Sequence, residues 1–386
     1  GDTIGDIINK INASGQYTAG LDENGKFFIR SGGATQAASH ISEEEAIAQG
    51  YTIIKSVDDL QKVRDNMSGK FMLMSDIDMS SISNWDGFQS SYFKGIFDGN
   101  GYVIKNLTMD RSSSDAGFFN RVSGGTIKNL GIENANIKGV NAQGILAGSV
   151  SSKSVISNCY TKGTVTSTGV KEVDEYIYSY AGGLVGTLSG STITNCYTDV
   201  AVTGTSEMGA LVGKTQNSEI DSCYAIGSVS GTDDVGGLIG FLSSTNVKNC
   251  YADVEVTGRK DVGGFAGFIT SVSGKDQYEI SNNCAKGNVS YTELGAGFVG
   301  LYDKVYDYTK PTNLVNNIWF DSTGCDSAIA LNETGQDPTN LIKAESDNVN
   351  SSIYEQYGFS ENIWDFSKDT PTLKNVGLVK ENVSTK

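Results

Sequence analysis

One phrase recurs through the middle of the chain and limits what the chain can fold into. It reads AGGLVG at 181–186, MGALVG at 208–213, VGGLIG at 235–240, VGGFAG at 262–267 and AGFVG at 296–300, with weaker copies QGILAG at 143–148 and AGFFN at 116–120. A second phrase follows in phase: SNCYTKGTV at 157–165, TNCYTDVAV at 194–202, DSCYAIGSV at 221–229, KNCYADVEV at 248–256 and NNCAKGNV at 282–289. The cysteines step by 223−196 = 27 and 250−223 = 27, and the last glycine of the first phrase by 213−186 = 27, 240−213 = 27 and 267−240 = 27. Composition alone does not produce equal steps in two independent markers. The chain is built from repeats.

Each 27-residue unit holds three short apolar pieces, such as LVG, ITNCYT and VAVTG, parted by Gly, Ser, Thr and Asn. Val, Ile and Tyr dominate them and no helical period appears, so they read as strands. A propeller blade needs about 40 residues and four strands. Three short strands per unit instead predict an all-β fold, a right-handed parallel β-helix whose coils stack at about 4.8 Å. About seven to nine coils would make a rod some 35–45 Å long.

Equal spacing also predicts columns. Cys196, Cys223 and Cys250 should lie one above another, flanked by Cys159 and Cys284, with Tyr197, Tyr224 and Tyr251 stacked beside them. Cα atoms about 4.8 Å apart would permit disulfides, but side chains in parallel register rarely reach the required torsion. Buried thiols acting as small apolar fillers are the preferred reading. Glu207, Asp234 and Asp261 form a third column at steps of 27. Stacked carboxylates repel. Relief is expected from splaying into solvent at a corner, from Arg259 and Lys260, or from a bound Ca²⁺, which favours oxygen ligands. Two insertions interrupt the period, around 166–181 and 271–279. The first brings Glu172, Asp174 and Glu175 together with Tyr176, Tyr178 and Tyr180, a candidate ligand-binding loop at a coil corner.

Counts remove much chemistry. A single histidine, His40, stands among 386 residues, so no HExxH or binuclear histidine site can be built. It lies in the small, polar stretch SGGATQAASHISEEE and reads as an exposed linker residue. No GxxxxGK[ST] is present. With 29 basic against 45 acidic residues, the formal charge of −16 disfavours nucleic acid and anionic membrane surfaces. No apolar run reaches the roughly 18 residues of a membrane-spanning helix, so no membrane insertion is expected. The start, GDTIGDIINK, lacks the basic-then-apolar pattern of a signal peptide and an initiating Met, and reads as part of something longer.

An open coil is a bare sheet edge and needs a cover at each end. SVDDLQKVRDNMSG at 56–69 predicts a capping helix: Ser56 with Asp59 at its start, Val57, Leu60, Val63 and Met67 on one face, Gly69 after it. At the other end FSENIWDFSKDTPTL breaks the repeat with Trp364, Phe366 and Pro371. Residues 1–35 follow another scheme, a short helix carrying Ile4, Ile7, Ile8 and Ile11 and then a hairpin around ENG. Residues 36–50 read as a linker and 51–386 as the capped solenoid.

The AGGLVG and NCY phrases, with the entry FDGNGYVIKNL and the helix before it, resemble GLUG-repeat regions of bacterial surface proteins over about 50–375. These include the non-catalytic part of some IgA-cleaving metallopeptidases and many large adhesins. The resemblance implies a parallel β-helix at a cell surface and brings no catalytic residue with it. Residues 1–33 resemble a small motif of flagellins and hook-associated proteins through Ile11, Asn12, Ala13 and Gly15 and through Asn24, Gly25 and Lys26. Together they imply the outer part of a flagellin-type or adhesin-type protein, extracellular or in a flagellar filament, with self-assembly through regions absent from this chain. The expectation is a non-enzymatic structural or adhesive domain, without catalytic residues or cofactor unless Ca²⁺, touching glycans or a host surface. A carbohydrate-binding module, and a polysaccharide-cleaving β-helix, are the alternatives.

Overall fold

A computed structural model describes residues 17–21, 27–31, 40–88, 92–112, 115–169, 179–270, 278–303, 313–334, 338–345, 359–360, 363–365, 372–373 and 376. The repeat is a parallel β-helix. Its coils contribute to an eight-stranded sheet, a six-stranded sheet and a 21-stranded sheet that wraps the remaining sides. One coil runs Val212–Gln216, Glu219–Asp221, Tyr224–Ser230 and Asp233–Gly236. Each strand pairs in parallel with residues 27 further on: Val212 with Ile239, Glu219 with Asn246, Tyr224 with Tyr251 and Asp233 with Lys260.

The coils between Phe119 and Gly263 therefore have four strands each where three were expected, and the next coil splits one of them into Cys284–Ala285 and Val289–Tyr291. The piece ITNCYT is broken at Asn195, whose φ of 51° is left-handed, and its second half continues into one strand, Tyr197–Thr203. Asn129, Asn158, Asn249 and Asn282 turn the same corner in their coils, with φ between 52° and 57°. Asparagine tolerates this region better than most residues. The corner amides also link coils, Asn158 Nδ2 donating to Asn129 Oδ1 at 3.1 Å. The fourth strand, represented by Ser206–Gly209, precedes the Leu-Val-Gly piece and carries the acidic column.

Inward positions stack like on like. Leu146, Leu184, Leu211, Leu238, Phe265 and Phe298 are fully buried, the two phenylalanine rings lying 4.7 Å apart and nearly parallel. Glycine at the phrase's first Gly position is required by proximity. A Cβ on Gly236 would stand 1.9 Å from the Ile239 carbonyl oxygen and 2.8 Å from Ala266 Cα in the next coil.

All six cysteines are free and buried. Those of the column are more than apolar filler. Cys196 Sγ accepts from Cys159 N–H at 3.4 Å and Cys223 Sγ from Cys196 N–H at 3.5 Å, while each thiol also donates to a carbonyl two residues back. Burial pushes the Cys159, Cys196 and Cys223 thiols up. Cys284 does not belong to this column. It pairs with Tyr251, and Asn283 stands over Cys250, its Oδ1 accepting from Cys250 N–H at 2.8 Å. Counting from the left-handed corner explains this: Asn282 turns the corner, so the inward position falls on Asn283. A Cys223→Ala variant removes an acceptor and leaves a small void. It is expected to lose about 1–3 kcal/mol in urea unfolding, and in the native protein the column thiols should resist a thiol reagent that labels them after denaturation.

The N-terminal cover is larger than expected. Helix Leu60–Asp65 buries Leu60 and Val63, and Ser56 Oγ accepts from Asp59 N–H at 3.2 Å. The supposed linker also folds: helix Glu43–Ala48 starts on a reciprocal Ser42–Glu45 capping box. His40 is not an idle linker residue, because its ring stacks on Tyr102 at 4.3 Å. The solenoid begins earlier than the FDGNG entry, since Thr52–Ile54 already pairs in parallel with Lys70–Leu73. At the other end Phe359 and Trp364 pack with Tyr251, Cys284, Ile318 and Phe320, while Trp364–Asp365 pairs antiparallel with Thr372–Leu373. Tyr17–Leu21 and Phe27–Ser31 form the expected antiparallel hairpin. The helix of Ile4, Ile7, Ile8 and Ile11, together with Phe366 and Pro371, lies outside the described residues.

Candidate functional site

Two neighbouring outward columns run along the border between the six-stranded and eight-stranded sheets. The first contains Glu207, Asp234 and Asp261, whose φ values of 55°, 54° and 57° are left-handed. Ladder pairing steps over them, joining Ser206 to Asp233 and Met208 to Val235. The expectation that these side chains splay into solvent fails: Glu207 is 8% exposed, Asp261 6%, and Asp234 is half-buried. The backbone is left-handed at this position in successive coils with no shift of register, and the carboxylates of Glu207 and Asp261 end buried instead of in solvent. Burial pushes Glu207 up to about 7, against the pull of Lys214. Burial, followed by the charges of Glu207, Asp261 and Asp233, also lifts Asp234 to about 7. Asp261 is raised by burial as well.

The second column follows the last glycine of each phrase: Lys214, Phe241 and Phe268 are register partners. Lys214 Nζ lies 3.3 Å from both Glu207 carboxylate oxygens, 4.7 Å from the centre of the Tyr180 ring and 4.6 Å from that of Phe241. An ammonium is thus held between two aromatic faces and a carboxylate, each of which attracts it. Arg259 reaches Asp233 at 2.6 Å and Glu293 at 2.7 Å rather than the acidic column, while Lys260 Nζ stands 3.7 Å from Asp261. Among the described residues, no group of three or more His, Cys, Asp or Glu side chains is gathered closely enough to hold a metal ion.

Of the proposed ligand-binding loop, Tyr180 opens the strand Tyr180–Gly182 beside Lys214. Glu172, Asp174, Glu175, Tyr176 and Tyr178 lie outside the described residues. Sequence reasoning missed Lys214, Phe241 and Phe268. The signal was available in the residue after each LVG-type phrase, GALVGK, GGLIGF and GGFAGF, and in the seven-residue step from each acid to it.

The tyrosine column forms, extended by Tyr160. Tyr160, Tyr197 and Tyr224 stack with centres 4.9 and 4.8 Å apart at 4° and 3°. Each ring of the interior of this ladder spends its faces on its neighbours and offers mainly edges. Stacking against a sugar needs a free face, so this column is poorly suited to it.

Residues 40–163 match the model of the M26 IgA1-specific metallo-endopeptidase N-terminal region, and 177–203 and 231–257 match the GLUG motif. Among solved structures the chain is similar to a Bacteroides ovatus protein described as a candidate immunoglobulin A1 protease, at 20% identity and a TM-score of 0.55, over 89% of this chain and 95% of that one. A structure titled IgA1 Protease aligns at 16% identity with a TM-score of 0.46, over 84% of this chain and 23% of that one. No curated protein matches. GLUG repeats on a parallel β-helix are therefore present, and the family found over the first coils is the endopeptidase N-terminal region. Neither match reaches residues 1–35, where the flagellin resemblance lies.

Proposed function

We propose that the chain is a non-catalytic, exposed structural and adhesive segment of a bacterial surface protein. The observation that carries this reading is the stack of coils, covered at both ends, in which, among the described residues, outward side chains line up in columns along the coils and no group of His, Cys, Asp or Glu gathers at one centre able to hold a metal ion. The matches to an endopeptidase N-terminal region and to GLUG repeats support a place in a surface protein of that kind. A flagellin-type parent rests only on the phrase in residues 1–35 and its hairpin, and is the narrower form of the proposal. The single histidine, stacked on Tyr102, argues against a histidine-based zinc centre in this segment.

Removing residues 170–178 should leave folding intact, because insertions at solenoid corners add little to coil stacking, and the cut spares Ser179, which is buried and hydrogen-bonded to Ser167. Adhesion to cells or immobilised glycans is expected to be lost in this variant; unchanged adhesion would remove the loop from the proposal. Incubation with immunoglobulin A1, polygalacturonate, alginate or hyaluronan should leave each intact, and turnover of any of them would replace an adhesive reading with an enzymatic one.

A further inference from the structure

The two columns of the candidate site place a cation beside a carboxylate twice. In the coil of Glu207, Lys214 supplies the ammonium. At the N-terminal end of the same columns, Arg121 Nε lies 2.6 Å from Asp115 Oδ2, with the guanidinium 5.9 Å from the centre of the Tyr92 ring. One coil beyond Glu207 the arrangement changes. Asp234 takes the acidic position, and Phe241 occupies the place of Lys214, seven residues on as before. In the following coil Asp261 is followed by Phe268 at the same step. No hydrogen bond or ion pair from the described residues reaches the Asp234 carboxylate, and Asp261 Oδ1 is buried without a hydrogen-bond partner. The apolar surface continues along the stack in register from Phe241 through Phe268 and Leu301 to Leu331, which is 39% exposed. Charge and surface here are complementary to one kind of group, an ammonium on an apolar stem, and the molecule already holds such a group one coil away.

We propose that the face formed by Asp234, Phe241 and Phe268, with the buried Asp261 behind it, docks a lysine side chain of a partner protein, the ammonium on Asp234 and the stem along the apolar stripe. This deepens the adhesive reading and rests on it. The carboxylate supplies the charge, Phe268, which meets Phe241 edge-on at 5.0 Å, and the leucines beyond it supply apolar area, and the sheet beneath keeps both in place. Glu207, Asp261, Asp233 and Lys214 are the charged groups that bear on Asp234. Three of them are acidic, so an incoming ammonium relieves repulsion as well as forming a new pair.

The test uses the whole chain, with the peptide acetyl-Leu-Lys-Leu-amide as probe and its Glu analogue, glucosamine and Ca²⁺ as comparisons, followed by NMR shifts or calorimetry. Only the lysine peptide is expected to bind. Asp234→Asn should weaken it at least tenfold, and Phe241→Lys, which supplies an internal ammonium of the Lys214 kind, should abolish it; circular dichroism confirms that both variants fold. Binding of the Glu analogue or glucosamine with equal strength, a Ca²⁺-dependent rise in melting temperature without peptide binding, or unchanged peptide binding in Asp234→Asn would each overturn the proposal. If the protein adheres through 170–178 while Asp234→Asn and Phe241→Lys have no effect on adhesion, the lysine site fails and the adhesive reading stands. If the chain adheres to nothing, that broader reading fails by itself.

Discussion

The melting temperature of the protein is expected to fall as pH rises from about 4 to about 8, and Asp234→Asn should flatten part of that fall. Asp234 and Glu207 are held at about 7 when folded, from ordinary values of 3.8 and 4.5. Below the ordinary values both states are protonated and nothing is lost. Between them and about 7, the unfolded chain releases protons that the folded chain retains, so stability drains away. Above about 7 the loss is complete. At about 1.4 kcal/mol per pH unit, discounted because Asp234 is only half-buried, the Asp234 share is about 2–4 kcal/mol at pH 8. The surface charge of −16 adds a slope of the same sign, but one substitution hardly alters it. The ease of asparagine in left-handed backbone is constant with pH and cancels when slopes are compared. The measurement is the difference between variant and parent melting curves across the range. Parallel profiles would show that Asp234 ionises normally in the folded chain.

A second large effect is expected at Gly236. Adding one methyl group there sets a Cβ 1.9 Å from the Ile239 oxygen, 2.7 Å from Gly267 N and 2.8 Å from Ala266 Cα, all main-chain atoms that cannot rotate aside. Relief requires this coil and the next to separate, breaking ladder bonds on more than one side. Gly236→Ala should therefore lose about 3–5 kcal/mol in denaturant unfolding or fail to accumulate folded. Gly190 is the control. Its φ is 55° and nothing lies within 4 Å of an added Cβ, so Gly190→Ala should lose only about 1 kcal/mol. Equal losses at the two sites would refute steric contact as the reason for the glycine phrase.

These cases show why the repeat was legible and its detail was not. Parallel stacking puts identical positions together, so a 27-residue step in Cys and Gly is also a step in space, and Tyr197 over Tyr224 follows directly. Matching the letter Cys misplaces Cys284, because the physical marker is the left-handed corner at Asn282. The strand Ser206–Gly209 escaped notice because four residues with a glutamate in the left-handed region match no strand pattern. Burial of Glu207 and Asp261 was equally hidden. Their spacing establishes that they stack, but whether a carboxylate is buried depends on a left-handed backbone position that the letters do not carry. The pairing of each acid with the residue seven further on was visible, yet it acquires meaning only when the two columns lie side by side.

The Val212–Gly236 coil and its successor are joined through pairs all 27 residues apart, and this has a consequence for evolution at the level of whole units. Excising 27 residues after Gly209 brings Gly237 into the place of Ala210, with the same kind of neighbour above and below. Duplication works in the same way. Each event changes the reach of the molecule by one strand spacing, about 4.8 Å, and demands no new kind of contact. Reach can therefore be adjusted independently of the two ends, as the length of a ruler can be changed without redesigning its marks.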